Sequence, residues 1–363
     1  MVLLVLFLLF SGCSTKPAKP IATAVPFNRN AMLRNFTRQL ILPAHQNLET
    51  AASALTVAAQ TFVANPDQAN LDTLQQAWLE VNLARMATTP YNFGPVHDSL
   101  LHNRLDKRPI DVSALSEILA GEATITADYI GTIGSNKVGL GAIEYLIFDP
   151  ENGDTAVLTA FQNSSGERRQ ALLLALAQNV QQTTVAVQNI WGSDGANYAQ
   201  WFVESSGEME NPMNVLVNQM LADLEMLINT RLGTPLGKQS DGIIQPEQVE
   251  APYSHMSLPR MIATIETLKI IFSGGGGLGL DDYLDFLQAS YEDQPLSQAI
   301  LNQFDTTLLA LNAIDEPLET AVANNPAQTE AAYDELKKLL VLLKVDMVNH
   351  LGIILTFNDN DGD

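Results

Sequence analysis

Apolar positions recur at intervals of three and four along most of the chain. Between Leu33 and Val63 they fall at Phe36, Leu40, Leu48, Ala51, Ala52, Leu55 and Ala59, the stripe of an amphipathic helix. Asn65-Pro66-Asp67 interrupts it, and Asp67 or Asn70 is placed to cap a second helix over Leu71 to Met86. Helical spacing returns over Asp111 to Tyr129, where Asp111 or Ser113 can cap, over Arg168 to Gln188, and again over Pro212 to Leu232. Gly233 to Pro252 is a Gly/Pro/Ser-rich connection. Ser257 to Phe272, Asp281 to Tyr291, Leu296 to Ile314 and Gln328 to His350 then read as helices. Period-two alternation is nearly absent. The pattern therefore predicts an all-α protein, built as two packed helical bundles over residues 31–205 and 206–363.

Composition sets the scale. The chain has 363 residues, 46% of them hydrophobic and 17% charged, which suits a folded protein with a large core. Its formal net charge is −22, from 19 Lys+Arg and 41 Asp+Glu. That balance argues against nucleic acid as a partner, because phosphate binding needs clustered cations. Val2 to Phe10 is an unbroken apolar run, too short for the roughly 20 residues that span a bilayer but suited to a secretory signal. It ends in Ser11-Gly12-Cys13, and Cys13 is the only cysteine. Residues 1–12 read as a signal peptide, Cys13 as a lipidation site and 13–30 as a polar, Pro-rich tether. The expected location is the bacterial envelope, lipid-anchored at the periplasmic face of the outer membrane or at the cell surface.

The chemistry-bearing residues are sparse. The histidines are His45, His97, His102, His255 and His350, with no HExxH, and Cys13 is committed elsewhere. His97 and His102 are five apart, which would put them on different faces of a helix. Gly274 to Gly277 lacks the lysine of a phosphate loop and reads as a flexible tip. The C-terminal Asn358-Asp359-Asn360-Asp361-Gly362-Asp363 is rich in carboxylates but is not an EF-hand, since the glutamate of the twelfth position is missing. Glu144 stands out as a lone carboxylate in the apolar run Gly139 to Phe148. Buried there, it must pair, bind a cation or take up a proton. Arg85 is the candidate partner.

The run Val138-Gly139-Leu140-Gly141-Ala142-Ile143-Glu144-Tyr145-Leu146-Ile147-Phe148 resembles the signature of the imelysin family, Gly-x-His-x-x-Glu followed by an aromatic and aliphatics. Ala77-Trp78 through Arg85, Phe93-Gly94-Pro95, the segment Glu250 to Leu258 and the C-terminus from Leu351 resemble further family segments in the same order. The resemblance implies two α-helical bundles with the signature at their interface, in secreted or surface lipoproteins linked to iron uptake, some classed as metallopeptidases. It also implies that Asp98, Ser254 and Asp361 surround Glu144, with Arg85 orienting it. The chain departs from the pattern at Gly141, which stands where the histidine belongs. Glycine offers neither ligand nor base, and a catalytic zinc normally keeps three protein ligands.

Three functions remain open on these grounds. The first is a non-catalytic envelope protein that binds a metal ion, iron or another divalent cation, or a small ligand between the bundles, with Glu144 as the metal-facing carboxylate and envelope iron-uptake components as partners. The second is a diverged metallopeptidase with Glu144 as base and His255 or His97 as substitute ligand. The third is a structural or adhesive surface protein with a vestigial site.

Overall fold

The computed structural model describes residues 26–164, 166–205, 211–315 and 317–356. Cys13 and Asp361 therefore lie outside the described residues. The chain is 73% helical, and the described strands are one antiparallel pair, Ser290–Tyr291 with Gln294–Pro295.

A helical entry, Arg29–Asn35, runs through a π-helical turn, Phe36–Ile41, into α1 (Leu42–Ala64). The Asp67 carboxylate accepts the Asn70 amide at 2.9 Å and starts α2 (Gln68–Met86), a cap worth about 1 kcal/mol. The stretch expected as one helix over Asp111 to Tyr129 is two, Val112–Ala120 and Ala127–Thr132. Asp111 caps the first through the Ala114 amide, Gly121 ends it, and Thr126 caps the second through Tyr129. The signature forms α3 (Gly139–Ile147). Then come α4 (Gly166–Trp191), α5 (Pro212–Met226) running into the π-helical turn Leu227–Leu232, α6 (Ser257–Phe272), α7 (Leu296–Asn312) and α8 (Pro326–Val341).

Two hydrophobic cores result. One is built from α1, α2, α3 and the first half of α4, around Phe62, Trp78, Ile143, Phe161 and Leu176. The other gathers α5 to α8 around Met220, Ile265, Phe272, Phe304 and Leu336. The cores interleave along the chain. Met32 to Ile41 and the end of α4, Val187 and Trp191, pack into the second, while Ala251 and Met256 pack into the first. Helix α4 thus ties the two lobes together.

The tetraglycine is not a free tip. Asn35 Nδ2 donates to the carbonyl oxygens of Gly274 (2.7 Å) and Leu278 (3.0 Å), which clamps the loop to the entry helix. A Cβ on Gly277 would overlap the Asn35 side chain, so the glycine serves close packing there.

Candidate ligand-binding site

Helix α3 begins at Gly139, whose φ of +77° and contact with the Leu105 carbonyl leave no room for a Cβ. The helix is buried on nearly every side, and Trp78 Nε1 donates to the Leu140 carbonyl at 2.9 Å to fix it against α2. This carries Glu144 to full burial. Its partner is Arg108, not Arg85: Arg108 Nη1 donates to Glu144 Oε2 at 2.6 Å. The other oxygen, Oε1, accepts from the Ser254 amide (3.0 Å) and hydroxyl (2.7 Å). Ser254 therefore holds the carboxylate with two hydrogen bonds. Arg85 instead faces Thr88, to whose hydroxyl Nη1 donates at 3.2 Å.

Gly141 explains how Arg108 arrives. A Cβ at Gly141 would come within 2.6 Å of Ile110 Cγ2 and 3.6 Å of Arg108 Cζ. The space beside the signature helix is filled by Ile110 and a guanidinium. A histidine at this position would have to displace both.

Glu144 opens a chain of alternating charges that crosses between the lobes. Arg108 Nε also donates to Asp106 Oδ1 at 2.8 Å, and Asp106 Oδ2 accepts from Arg260 Nη2 at 2.6 Å. Arg260 Nε meets Glu250 Oε1 at 2.9 Å, and Arg231 Nε meets Glu250 Oε2 at 3.3 Å. Arg260 Nη1 reaches Asn82 on α2. Arg231 is delivered by the π-helical turn after α5, a geometry that often marks functional sites. Three carboxylates and three guanidiniums balance in this series. Burial alone would push the Asp106 and Glu250 carboxyls up. For Asp106 the Arg108 and Arg260 charges outweigh burial, and for Glu250 the Arg231 and Arg260 charges do. Both carboxyls are held below the usual range. Burial would likewise lower Arg260, but Asp106 and Glu250 raise it.

Arg85 is left over. It is 7% exposed, has no carboxylate within ion-pair distance among the described residues, and its Nε has no partner. Burial pulls it down to about 10, against the nearby charges of Asp106 and Asp223. Arg85 lines a cleft of about 710 Å³ with residues of both lobes, among them Arg108, Asp223, Arg231, Glu250 and Arg260. On the rim are Lys107 and Glu247, both exposed.

Asp98 does not join this site. Its side chain is 78% exposed and meets His97 on the surface. His97 and His102 share no single helix, because Leu100 adopts φ +56° between them, and their rings stack at 5.8 Å. His255 contacts Glu319, so neither histidine proposed as a substitute ligand bonds to Glu144.

The residues do not fit a zinc centre built on the signature. The imidazole is absent at Gly141, and both Glu144 oxygens are taken by fixed donors. Among the described residues no three His, Cys, Asp or Glu side chains converge as metal ligands. With its lone pairs held by Arg108 and Ser254, Glu144 is also poorly placed to serve as general base or metal ligand, and the metal-facing role expected of it is corrected to an ion-pair role.

Sequence reasoning missed Arg108, Arg260, Arg231 and Asp106. Arg260 carried a usable signal. It stands at an inward position of Ser257-Leu258-Pro259-Arg260-Met261-Ile262, the same anomaly that singled out Glu144. Asp106-Lys107-Arg108-Pro109 looks like an ordinary charged loop, and nothing local marks it for burial.

The family model of imelysin, peptidase M75, matches residues 41–343. The chain belongs to the imelysin family. It is 24% identical over 321 residues to iron-regulated protein A of Synechococcus elongatus, covering 87% of this chain and 82% of that one. Its fold is similar to that of a Parabacteroides distasonis protein named after iron-regulated protein A, with a TM-score of 0.73 at 18% identity over 91% of this chain and 97% of the other. It is also similar to an imelysin-like protein from Psychrobacter arcticum, with a TM-score of 0.71 at 17% identity over 90% and 96%. These imelysin neighbours agree with the all-α architecture.

Proposed function

We propose that this protein is a non-catalytic binding protein of the bacterial envelope, linked to iron acquisition, which holds a small ligand or a metal complex in the cleft between its lobes. The observation that carries this reading is the cleft itself. About 710 Å³ is ample for a small molecule, and the lining combines polar groups with aliphatic positions such as Ile110 and Ala222. Iron enters through the names of the similar proteins and through family membership. Envelope anchoring rests on Cys13 and the apolar run before it. The occupied Glu144 and the glycine at 141 favour binding over hydrolysis, since the signature retains no free base or ligand.

The test is to purify the protein without chelator from iron-limited cells and examine it by native mass spectrometry and elemental analysis. Ala222 lines the cleft, and Ala222→Trp should fill it. The expected result is a bound small molecule, or a complex containing metal, in the original protein and its loss from Ala222→Trp. Equal retention by both forms would place the ligand elsewhere, and the cleft would lose its assigned role.

A further inference from the structure

The cleft lacks the strong acidic excess of the rest of the protein. The whole chain has 41 acidic and 19 basic residues, yet the cleft lining has five Lys/Arg and four Asp/Glu. More telling is how those charges are used. Asp106, Glu144 and Glu250 are each bonded to guanidiniums of Arg108, Arg231 and Arg260, so the series closes on itself. Two donors stay unspent. Arg85 Nε and Arg108 Nη2 are both buried without a hydrogen-bond partner among the described residues, and both residues line the cleft. A buried guanidinium with an empty donor loses hydration that nothing in the described protein restores. An anion with two or more oxygens is the group that fits such donors, because guanidinium edges match carboxylate and phosphate geometry.

On the reading that the cleft is a binding site, we propose that its ligand presents an oxoanion, a carboxylate or phosphate, to Arg85 and Arg108. Lys107 at the exposed rim draws the anion in. Asp223 sets a second requirement. Gln219 donates to its Oδ1 at 2.9 Å, Oδ2 is buried with no hydrogen bond among the described residues, and burial raises the carboxyl against the pull of the Thr89 hydroxyl and the Arg231 charge. Where Asp223 is ionised, the ligand group that meets it is a hydrogen-bond donor, such as a hydroxyl. A hydroxycarboxylate satisfies both ends, and so does a protonated phosphate. A bare metal cation satisfies neither arginine.

Isothermal titration calorimetry at fixed ionic strength tests this with citrate, inorganic phosphate, zinc chloride and calcium chloride as probes. Citrate or phosphate should bind at one site, and which of them binds separates a carboxylate ligand from a phosphate. Arg85→Met should weaken that binding at least about tenfold, as loss of a charge-assisted contact requires. Its melting temperature should equal or exceed the original, because an unpaired buried cation has been removed. Lys107→Glu, at an exposed position, should weaken binding several-fold, and Asp98→Asn should leave it unchanged. Binding of zinc or calcium that Ala222→Trp abolishes, with no anion binding up to about 1 mM, would overturn the oxoanion and leave the cleft reading standing. Anion binding insensitive to Arg85→Met and Lys107→Glu would also overturn it, since the anion would then sit elsewhere. No binding of either anion would overturn it outright.

Discussion

Replacing Glu144 by Gln perturbs the charge chain at its buried end. The carboxylate is fully buried and takes three donors, Arg108 Nη1 at 2.6 Å and the Ser254 amide and hydroxyl at 3.0 and 2.7 Å. An amide can keep one oxygen on Ser254. Its NH2 then faces the Arg108 guanidinium, donor against donor. Breaking a buried pair by removing one partner costs about 3–5 kcal/mol. Here Arg108 retains Asp106 at 2.8 Å and the Glu250 carbonyl at 2.5 Å, so its charge is not abandoned. The expected loss is therefore about 2–4 kcal/mol, set between a charge-assisted hydrogen bond and a fully broken pair. Chemical unfolding followed by circular dichroism and by tryptophan fluorescence reads it out. Trp78 donates to the Leu140 carbonyl on the same helix, so it reports on this lobe directly. Arg108→Gln should also destabilise, and the double variant should lose less than the sum of the two, by about 1–3 kcal/mol of coupling. If Glu144→Gln leaves stability within about 0.5 kcal/mol of the original, the pair is not a structural lock, and Glu144 returns as a candidate ligand for a cation.

Gly141→His should destabilise by about 1–3 kcal/mol in thermal unfolding, because the ring must displace Ile110 and Arg108; unchanged stability would mean that the space is not committed. His45 is 3% exposed with neither ring nitrogen bonded among the described residues, and burial, then the Arg85 charge, lowers its pKa to about 3. The unfolded chain takes up this proton below pH 6.5 and the folded one does not until about pH 3, so the His45 contribution to stability falls as pH drops through that window. His45→Leu should remove a slope of about 1.4 kcal/mol per pH unit there, relative to the original protein, and parallel pH profiles would refute it. Cys13→Ala should release the protein from the membrane fraction, since lipid is the proposed anchor; retention of the variant would remove that anchor from the account.

The helical architecture was open to reading because helical periodicity is a local property, and breakers such as Asn65-Pro66-Asp67 fall where helices end. The split of Asp111 to Tyr129 turned on Gly121 and Thr126, capping residues that periodicity alone passes over. Glu144 and Ser254 could be found, one as a charge among apolar residues and the other from its segment. Arg108 could not. Its partner lies 36 residues away, and only folding the loop onto the signature helix brings the two together. Arg85 shows the opposite failure. It is buried on α2, but which carboxylate a buried arginine meets depends on tertiary placement, and Arg85 meets none within ion-pair distance among the described residues.

In the proposed arrangement Arg108 locks Glu144 inside the signature, leaving Arg85 and the free edge of Arg108 to read an anionic ligand in the cleft. A crystal structure of the protein soaked with ferric citrate, with diffraction collected at the iron edge, tests it most directly. The proposed arrangement predicts carboxylate oxygens within hydrogen-bond distance of the Arg85 and Arg108 guanidiniums, with Glu144 still holding Arg108, and any iron on the citrate side. An anomalous peak coordinated by Glu144, with Arg108 swung away, would contradict it.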